Sequence, residues 1–158
     1  MDDTHLSMLD RSDPSGFLHI PLRLRLLQNS YVRAADEALV GRGTTVAKYV
    51  VLATVSENPG IIGSHLAVLT FQKPQSLTGI TGALEEAGLL VRQPGRGRGV
   101  KHVLTDAGAD VVAGSRAALA DLHSHMFADF DEDRIARFAG DLDALVLQLF
   151  GINNGRIQ

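Results

Sequence analysis

A mainly α-helical fold carrying one small β-hairpin is predicted by three features of this sequence. Apolar residues recur at helical spacing through two long outer segments, residues 17–40 and 106–150. Between them lie two shorter helical stretches separated by the turn "FQK". Two β-prone runs, "LLVRQ" and "VKHVLT", then flank the glycine- and arginine-rich tip "PGRGRG". Two short helices, a tight turn and a hairpin with a basic tip describe a winged helix-turn-helix.

The first helix spans residues 17–40. "IPLRLRLLQN" alternates locally like a strand, but the stripe from Leu18, Leu22, Leu26 and Leu27 through Tyr31, Ala34, Ala35, Ala38 and Leu39 lasts more than five turns, and length decides for helix. Pro21 lies near its start, where a missing N–H costs least. "GRG" at 41–43 turns the chain, and Thr44 or Thr45 caps a second helix reaching Ser56, with Val46, Tyr49, Val50, Ala53 and Glu57 on one stripe. "ENPG" stops it. A short helix over 63–70 turns Leu66, Ala67 and Leu69 inward. Pro74 then opens a helix to Ala87, with Leu77, Ile80, Thr81 and Leu84 on one face and Gln75, Ser76, Thr78, Gly79 and Gly82 on the other. Gly88 suits a left-handed cap. After the hairpin, "TDAG" starts a long helix running to near Phe130. "DEDR" opens the last helix, which carries Ile135, Phe138, Leu142, Leu145, Val146, Leu149 and Phe150. Residues 1–15 and 152–158 read as flexible.

Composition narrows the function classes. The chain has 158 residues, suited to one domain, and no cysteine, which removes disulfides, thiolate zinc sites and thiol redox chemistry. No apolar run reaches the roughly 18 residues of a membrane span, and the polar, acidic start is unlike a signal peptide, so a cytoplasmic location is expected. The formal net charge of −3 is uneven. Residues 72–101 carry five basic groups (Lys73, Arg92, Arg96, Arg98, Lys101) against two acidic ones, while residues 102–158 carry four basic and nine acidic. Only the central block is attracted to phosphate, and the local field counts for more than the total.

The second helix of the pair is thin enough for the major groove and presents small polar groups to base edges. A glycine-rich hairpin tip can follow the adjacent minor groove and place guanidinium groups in its negative potential. Lys73, Gln75, Ser76, Thr78, Gly79, Arg96, Arg98 and Lys101 are therefore the DNA-binding candidates.

The block "PGIIGSHLAVLTFQKPQSLTGITGALEEAGLLVRQPGRGRGVKHVLTDAG" resembles the helix-turn-helix and wing of the MarR family of bacterial transcription regulators. The closest pieces are "LEEAGLLVR" and, on the wing, Arg98, Leu104, Thr105 and Gly108. The chain departs from that pattern in carrying Arg96 where the family usually has an acidic residue, and in having no arginine on the recognition helix. The resemblance covers most of the chain. It implies a single domain over 1–158 in which 17–40 and 106–150 are dimerisation helices and 44–105 is the winged helix-turn-helix lobe. It further implies an obligate homodimer on a roughly palindromic operator, acting as a repressor released by a small aromatic or phenolic effector. For such a ligand the candidates are His19 and Arg23, spaced i, i+4 on the first helix, with Tyr49 as a wall and His65 on the first helix of the pair.

The same residues allow other readings. The charge-poor recognition helix also fits a winged-helix protein-interaction module without sequence-specific DNA binding, and a DNA-binding regulator with no ligand is a third reading. His123 and His125 stand at i, i+2, about 200° apart on a helix, which does not suit one metal ion. "GRGRG" leads from strand to strand and lacks the Lys-Ser/Thr of a phosphate-binding loop. The acidic run Asp129, Asp131, Glu132 and Asp133 suits a helix N-terminus. No nucleophile–base set emerges, so no enzyme activity, cofactor or metal is expected.

Overall fold

The computed structural model describes residues 20–95 and 100–153. Residues 1–19, 96–99 and 154–158 lie outside the described residues, and with them the stretch 1–15 and most of the stretch 152–158 expected to be flexible. The chain divides into two compact units, Met1–Leu119 and Ala120–Gln158.

In the first unit, α1 (Ile20–Leu39) passes into a 3-10 turn, Val40–Arg42, closed by Gly43 at φ 65°, a conformation glycine adopts without cost. α2 (Val46–Glu57) follows at once, and its N-terminus is held twice. Thr45 Oγ1 accepts from the Lys48 N–H at 3.4 Å, and Asp36 Oδ1 on α1 accepts from the Val46 N–H at 2.6 Å. The buried residues of α2 are Val51, Leu52 and Val55, two positions on from the expected Tyr49, Val50 and Ala53; Val50 is exposed. The helix is apolar nearly all round, so periodicity did not select its inner face. Glu57, expected on that stripe, is exposed and paired with Arg116 at 2.8 Å.

"ENPG" does stop α2, but Ile61–Ile62 forms a strand, β1, that the sequence reading did not contain. The sheet has three antiparallel strands in the order β1-β3-β2, with β2 at Leu90–Pro94 and β3 at Val100–Leu104. A two-residue strand is too short to show alternation; only its ladder with His102 and Lys101 defines it. Between β1 and β2 lie α3 (Gly63–Leu69) and α4 (Pro74–Glu86). Leu66 and Ala67 of α3 are buried as expected, whereas Leu69 is exposed.

Val51, Leu52, Val55, Leu66, Ala67, Leu77, Leu84, Leu90 and Val112 form one core cluster, so α2, α3, α4, β2 and α5 (Asp106–Met126) share a single apolar centre. The joint between hairpin and α5 is tightly built. Thr105 Oγ1 donates to the Gly88 carbonyl at 2.8 Å and accepts from the Gly108 N–H at 3.0 Å, capping α5. A Cβ on Gly108 would stand 2.0 Å from the Leu89 carbonyl oxygen, so only glycine fits there.

In the second unit, α5 ends at Met126, a turn before the expected Phe130, and α6 runs Glu132–Asn153, so residues 152 and 153 are helical rather than loose. Asp131 Oδ1 accepts from the Arg134 N–H at 2.7 Å, capping α6. Phe127 and Phe130 meet edge to face at 5.8 Å, and the Arg134 guanidinium lies 3.9 Å over the Phe130 ring. Leu145, Val146, Leu149 and Phe150 of α6 are exposed in the single chain. Among the described residues no helix is long and apolar enough to cross a membrane.

Candidate nucleic-acid interface

α3 and α4 are joined by a turn held by backbone hydrogen bonds. The Phe71 N–H donates to Val68 O at 3.2 Å and the Gln72 N–H to Ala67 O at 3.0 Å, while the Thr70 hydroxyl donates to Leu66 O at 2.7 Å. Lys73 is the N-cap of α4 with no side-chain cap bond, and Pro74 begins the helix. Leu77, Thr81 and Leu84 anchor α4 to the core. That anchoring turns Gln75, Ser76, Thr78 and Gly79 outward, all exposed, with Lys73 exposed at the helix start. A Cβ at Gly79 or Gly82 would meet nothing within 4 Å, so the two glycines leave an open shelf on this face. Thr78 is less free than its exposure implies. Its hydroxyl donates to Pro74 O at 2.9 Å, leaving only acceptor capacity for a partner.

Strand alternation sorts the hairpin. In β3, His102 turns inward and is 5% exposed, with Nδ1 3.3 Å from the Ile61 carbonyl oxygen. Lys101 turns outward on the other side, over the turn before β1, where a Cβ on Gly60 would lie 3.7 Å from its Cδ. Lys101 is thus on the hairpin but not beside the Gln75–Gly79 face. Arg92, opposite His102 in the ladder, forms a 2.8 Å ion pair with Glu85 of α4. One of the five basic groups of the central block is therefore already partnered within the lobe. Arg96 and Arg98 lie outside the described residues, between Gly95 and Val100 in sequence.

α4, the α3–α4 turn and the hairpin border one concavity of about 710 Å³, lined by Val68, Phe71, Pro74, Thr78, Arg92 and Val100 among others. Phe71 and the Arg92–Glu85 pair were not picked out from sequence. A pairing between helix and strand, or a side chain left in solvent by a turn, leaves no periodic signal.

The described ligand candidates stand on three different helices. Arg23 and Tyr49 are half-buried, on α1 and α2. The Tyr31 phenol is pushed above its ordinary value of 10.0, first by burial and then by the neighbouring Tyr49. His65 is exposed on α3 and lines a separate hollow with Asn58, Pro59, Gly60, Ile61, Val68 and Leu69. His19 lies outside the described residues. Among the described residues no cluster of three or more His, Asp or Glu could hold a metal ion.

No protein-family model matches the sequence, and no curated protein does. Solved structures do match. A MarR-family transcriptional regulator from Rhodococcus sp. RHA1 is 24% identical, with 86% of this chain and 94% of that chain covered at a TM-score of 0.73. CouR from Rhodococcus jostii RHA1, in a crystal structure bound to p-coumaroyl-CoA, is 25% identical over 85% of this chain and 92% of that chain, at a TM-score of 0.71. A mutant MarR from E. coli, complexed with operator DNA, is 24% identical over 85% of this chain and 99% of that chain, at 0.75. This chain therefore has the winged-helix fold of the MarR-family regulators.

Proposed function

We propose that this protein is a DNA-binding transcription regulator, a cytoplasmic homodimer that represses from a roughly palindromic operator and is released by a small aromatic or phenolic ligand. One observation carries the proposal. The outward face of α4 is a row of small, uncharged, hydrogen-bonding or absent side chains (Gln75, Ser76, Gly79) standing clear of the protein, with Lys73 at its start. That is a surface suited to base edges in a major groove. Gln75 can make the bidentate pair with adenine, Ser76 can serve as donor or acceptor, and the glycines let the backbone approach. Lys73, with Arg96 and Arg98 at the hairpin tip, supplies phosphate and minor-groove attraction. The crystal structure of a mutant E. coli MarR with operator DNA, on the same fold, supports this use of the surface.

The homodimer reading rests on the exposed apolar side chains of α6, where Leu145, Val146, Leu147 and Leu149 stand in solvent in the single chain. A two-fold axis then sets two copies of α4 about one DNA turn apart, which gives the operator its symmetry. Release by a ligand is a population shift: a small molecule that favours a spacing of the two helices unsuited to DNA weakens binding by its differential affinity. The p-coumaroyl-CoA bound by CouR supports an aromatic ligand, and Arg23 with Tyr49 is the pair to test.

Selection from a pool of genomic fragments at two salt concentrations tests the DNA reading. A palindromic motif is expected, with log affinity falling by about 0.9 for each phosphate neutralised per log unit of salt. Arg96→Ala with Arg98→Ala should weaken binding to all sequences. Absence of enrichment even at low salt would favour the protein-interaction module instead. A thermal-shift series of aromatic acids on wild type and Arg23→Ala tests the ligand; stabilisation that survives the substitution removes Arg23 from the site.

A further inference from the structure

Two helices of the DNA-binding lobe end in the same backbone motif, and only one carries the residue that motif favours. At the end of α4 the Gly88 N–H donates to Glu85 O and the Leu89 N–H to Leu84 O, with Gly88 at φ 68°. At the end of α3 the Phe71 N–H donates to Val68 O and the Gln72 N–H to Ala67 O, with Phe71 at φ 52°. Both are Schellman caps, whose left-handed position costs glycine nothing and a residue with a Cβ a good deal more. Among the described residues Phe71 is the one non-glycine with positive φ. Its side chain does not offset this by burial, because it is 97% exposed, the largest exposure of any large apolar residue described. Neither the backbone nor the core accounts for a phenylalanine here.

Its position does. Phe71 stands two residues before Lys73 and rims the concavity between α4 and the hairpin, together with Val68, Pro74 and Val100. A duplex that takes α4 into its major groove and the hairpin tip into the adjoining minor groove must run one sugar–phosphate strand across the space between them. The deoxyribose faces of that strand are apolar and its phosphates anionic. Phe71 and Lys73 side by side match those two characters.

We propose that Phe71 is an intermolecular DNA contact, packing on the deoxyribose backbone where it crosses from the α4 groove to the hairpin groove. This rests on the DNA-binding reading above. Folded-state stability is given up at this residue in return for affinity.

The test compares Phe71→Gly, Phe71→Asn and Phe71→Leu in the full chain, each measured for Tm, oligomeric state and operator binding over a salt series. Glycine and asparagine tolerate the left-handed backbone but remove the apolar ring; leucine keeps an apolar side chain and keeps the strain. Phe71→Gly is expected to raise Tm by about 2–4 °C. The same variant should bind operator roughly tenfold more weakly, with an unchanged salt slope because no phosphate contact is lost. Phe71→Asn should lose affinity likewise, and Phe71→Leu should retain most of it. Lys73→Ala, as the contrast, should flatten the salt slope. Wild-type affinity in both Phe71→Gly and Phe71→Asn would overturn the assignment while leaving the DNA reading intact. So would a loss traceable to an altered oligomeric state, which would give the ring to a protein contact. If the wild-type chain binds no DNA at any salt concentration, the DNA reading and this assignment fall together.

Discussion

Gly108 and Thr105 show how single residues weld the hairpin to α5. The Leu89 carbonyl passes so close to Gly108 that any Cβ would collide with backbone, which cannot rotate away as a side chain can. Gly108→Ala is therefore expected to destabilise the protein by about 2–3 kcal/mol, despite alanine's better helix propensity. Urea unfolding monitored by circular dichroism would show it; an unchanged midpoint would mean that the Leu89–Gly108 approach is looser than described. Tyr31 offers a second residue-scale expectation. Burial, and then Tyr49, raise its phenol above the ordinary 10.0, so the folded state holds the proton more tightly than the unfolded chain. Above the ordinary value the unfolded state binds fewer protons, and stability falls as pH rises through the folded pKa. This contribution is complete below about pH 10 and absent above the raised value. Urea midpoints taken from pH 8 to 11 should drop less steeply in Tyr31→Phe than in wild type.

Elements in this lobe are joined by a few polar contacts that tie neighbours across the fold. Asp36 of α1 holds the first turn of α2, and Glu85 of α4 holds Arg92 of β2. The Arg92–Glu85 pair is partly exposed, so it adds only about 0.5 kcal/mol to stability. Its larger effect is on charge, since it occupies a guanidinium beside the concavity that the DNA backbone would cross. Glu85→Gln should free Arg92 and raise operator affinity several-fold at low salt, with a steeper salt slope. Equal affinity and slope in the variant would place Arg92 away from phosphate. Helix existence was legible here because caps and periodicity agree. Pro74 opens α4, Gly88 ends it, and Leu77, Thr81 and Leu84 are buried at helical spacing. The inner face of α2 was not legible, since a nearly all-apolar helix offers no contrast. Nor was β1, whose two residues are strand only by pairing with β3.

At the scale of the molecule, the exposed apolar side chains of α6 are what the proposed homodimer would cover. α6 leaves Leu145, Val146, Leu149 and Phe150 exposed, more apolar surface on one helix than a lone chain in water normally keeps. Leu145→Glu with Leu149→Glu should yield a monomer by sedimentation velocity and cost operator binding by 100-fold or more, since a single half-site forgoes the linked second contact. A double variant that remains dimeric would move the interface off α6. The net charge of −3 does not oppose DNA binding while residues 72–101 carry five basic groups against two acidic ones.

The order of elements, the helix-turn-helix followed by a hairpin, and the outward row on α4 are legible before any tertiary contact is known. Each of these is written in local spacing, in caps and in turn residues. Only the folded chain shows which face of α2 is inside, that Ile61–Ile62 completes the sheet, that Lys101 lies over the turn at Gly60, and that Arg92 is paired. It alone set Phe71 in a left-handed turn with its ring in solvent. The physical reason is common to all five. Each depends on which residues distant in sequence meet, or fail to meet, and a local pattern records the shape of a segment but not the partner that covers it.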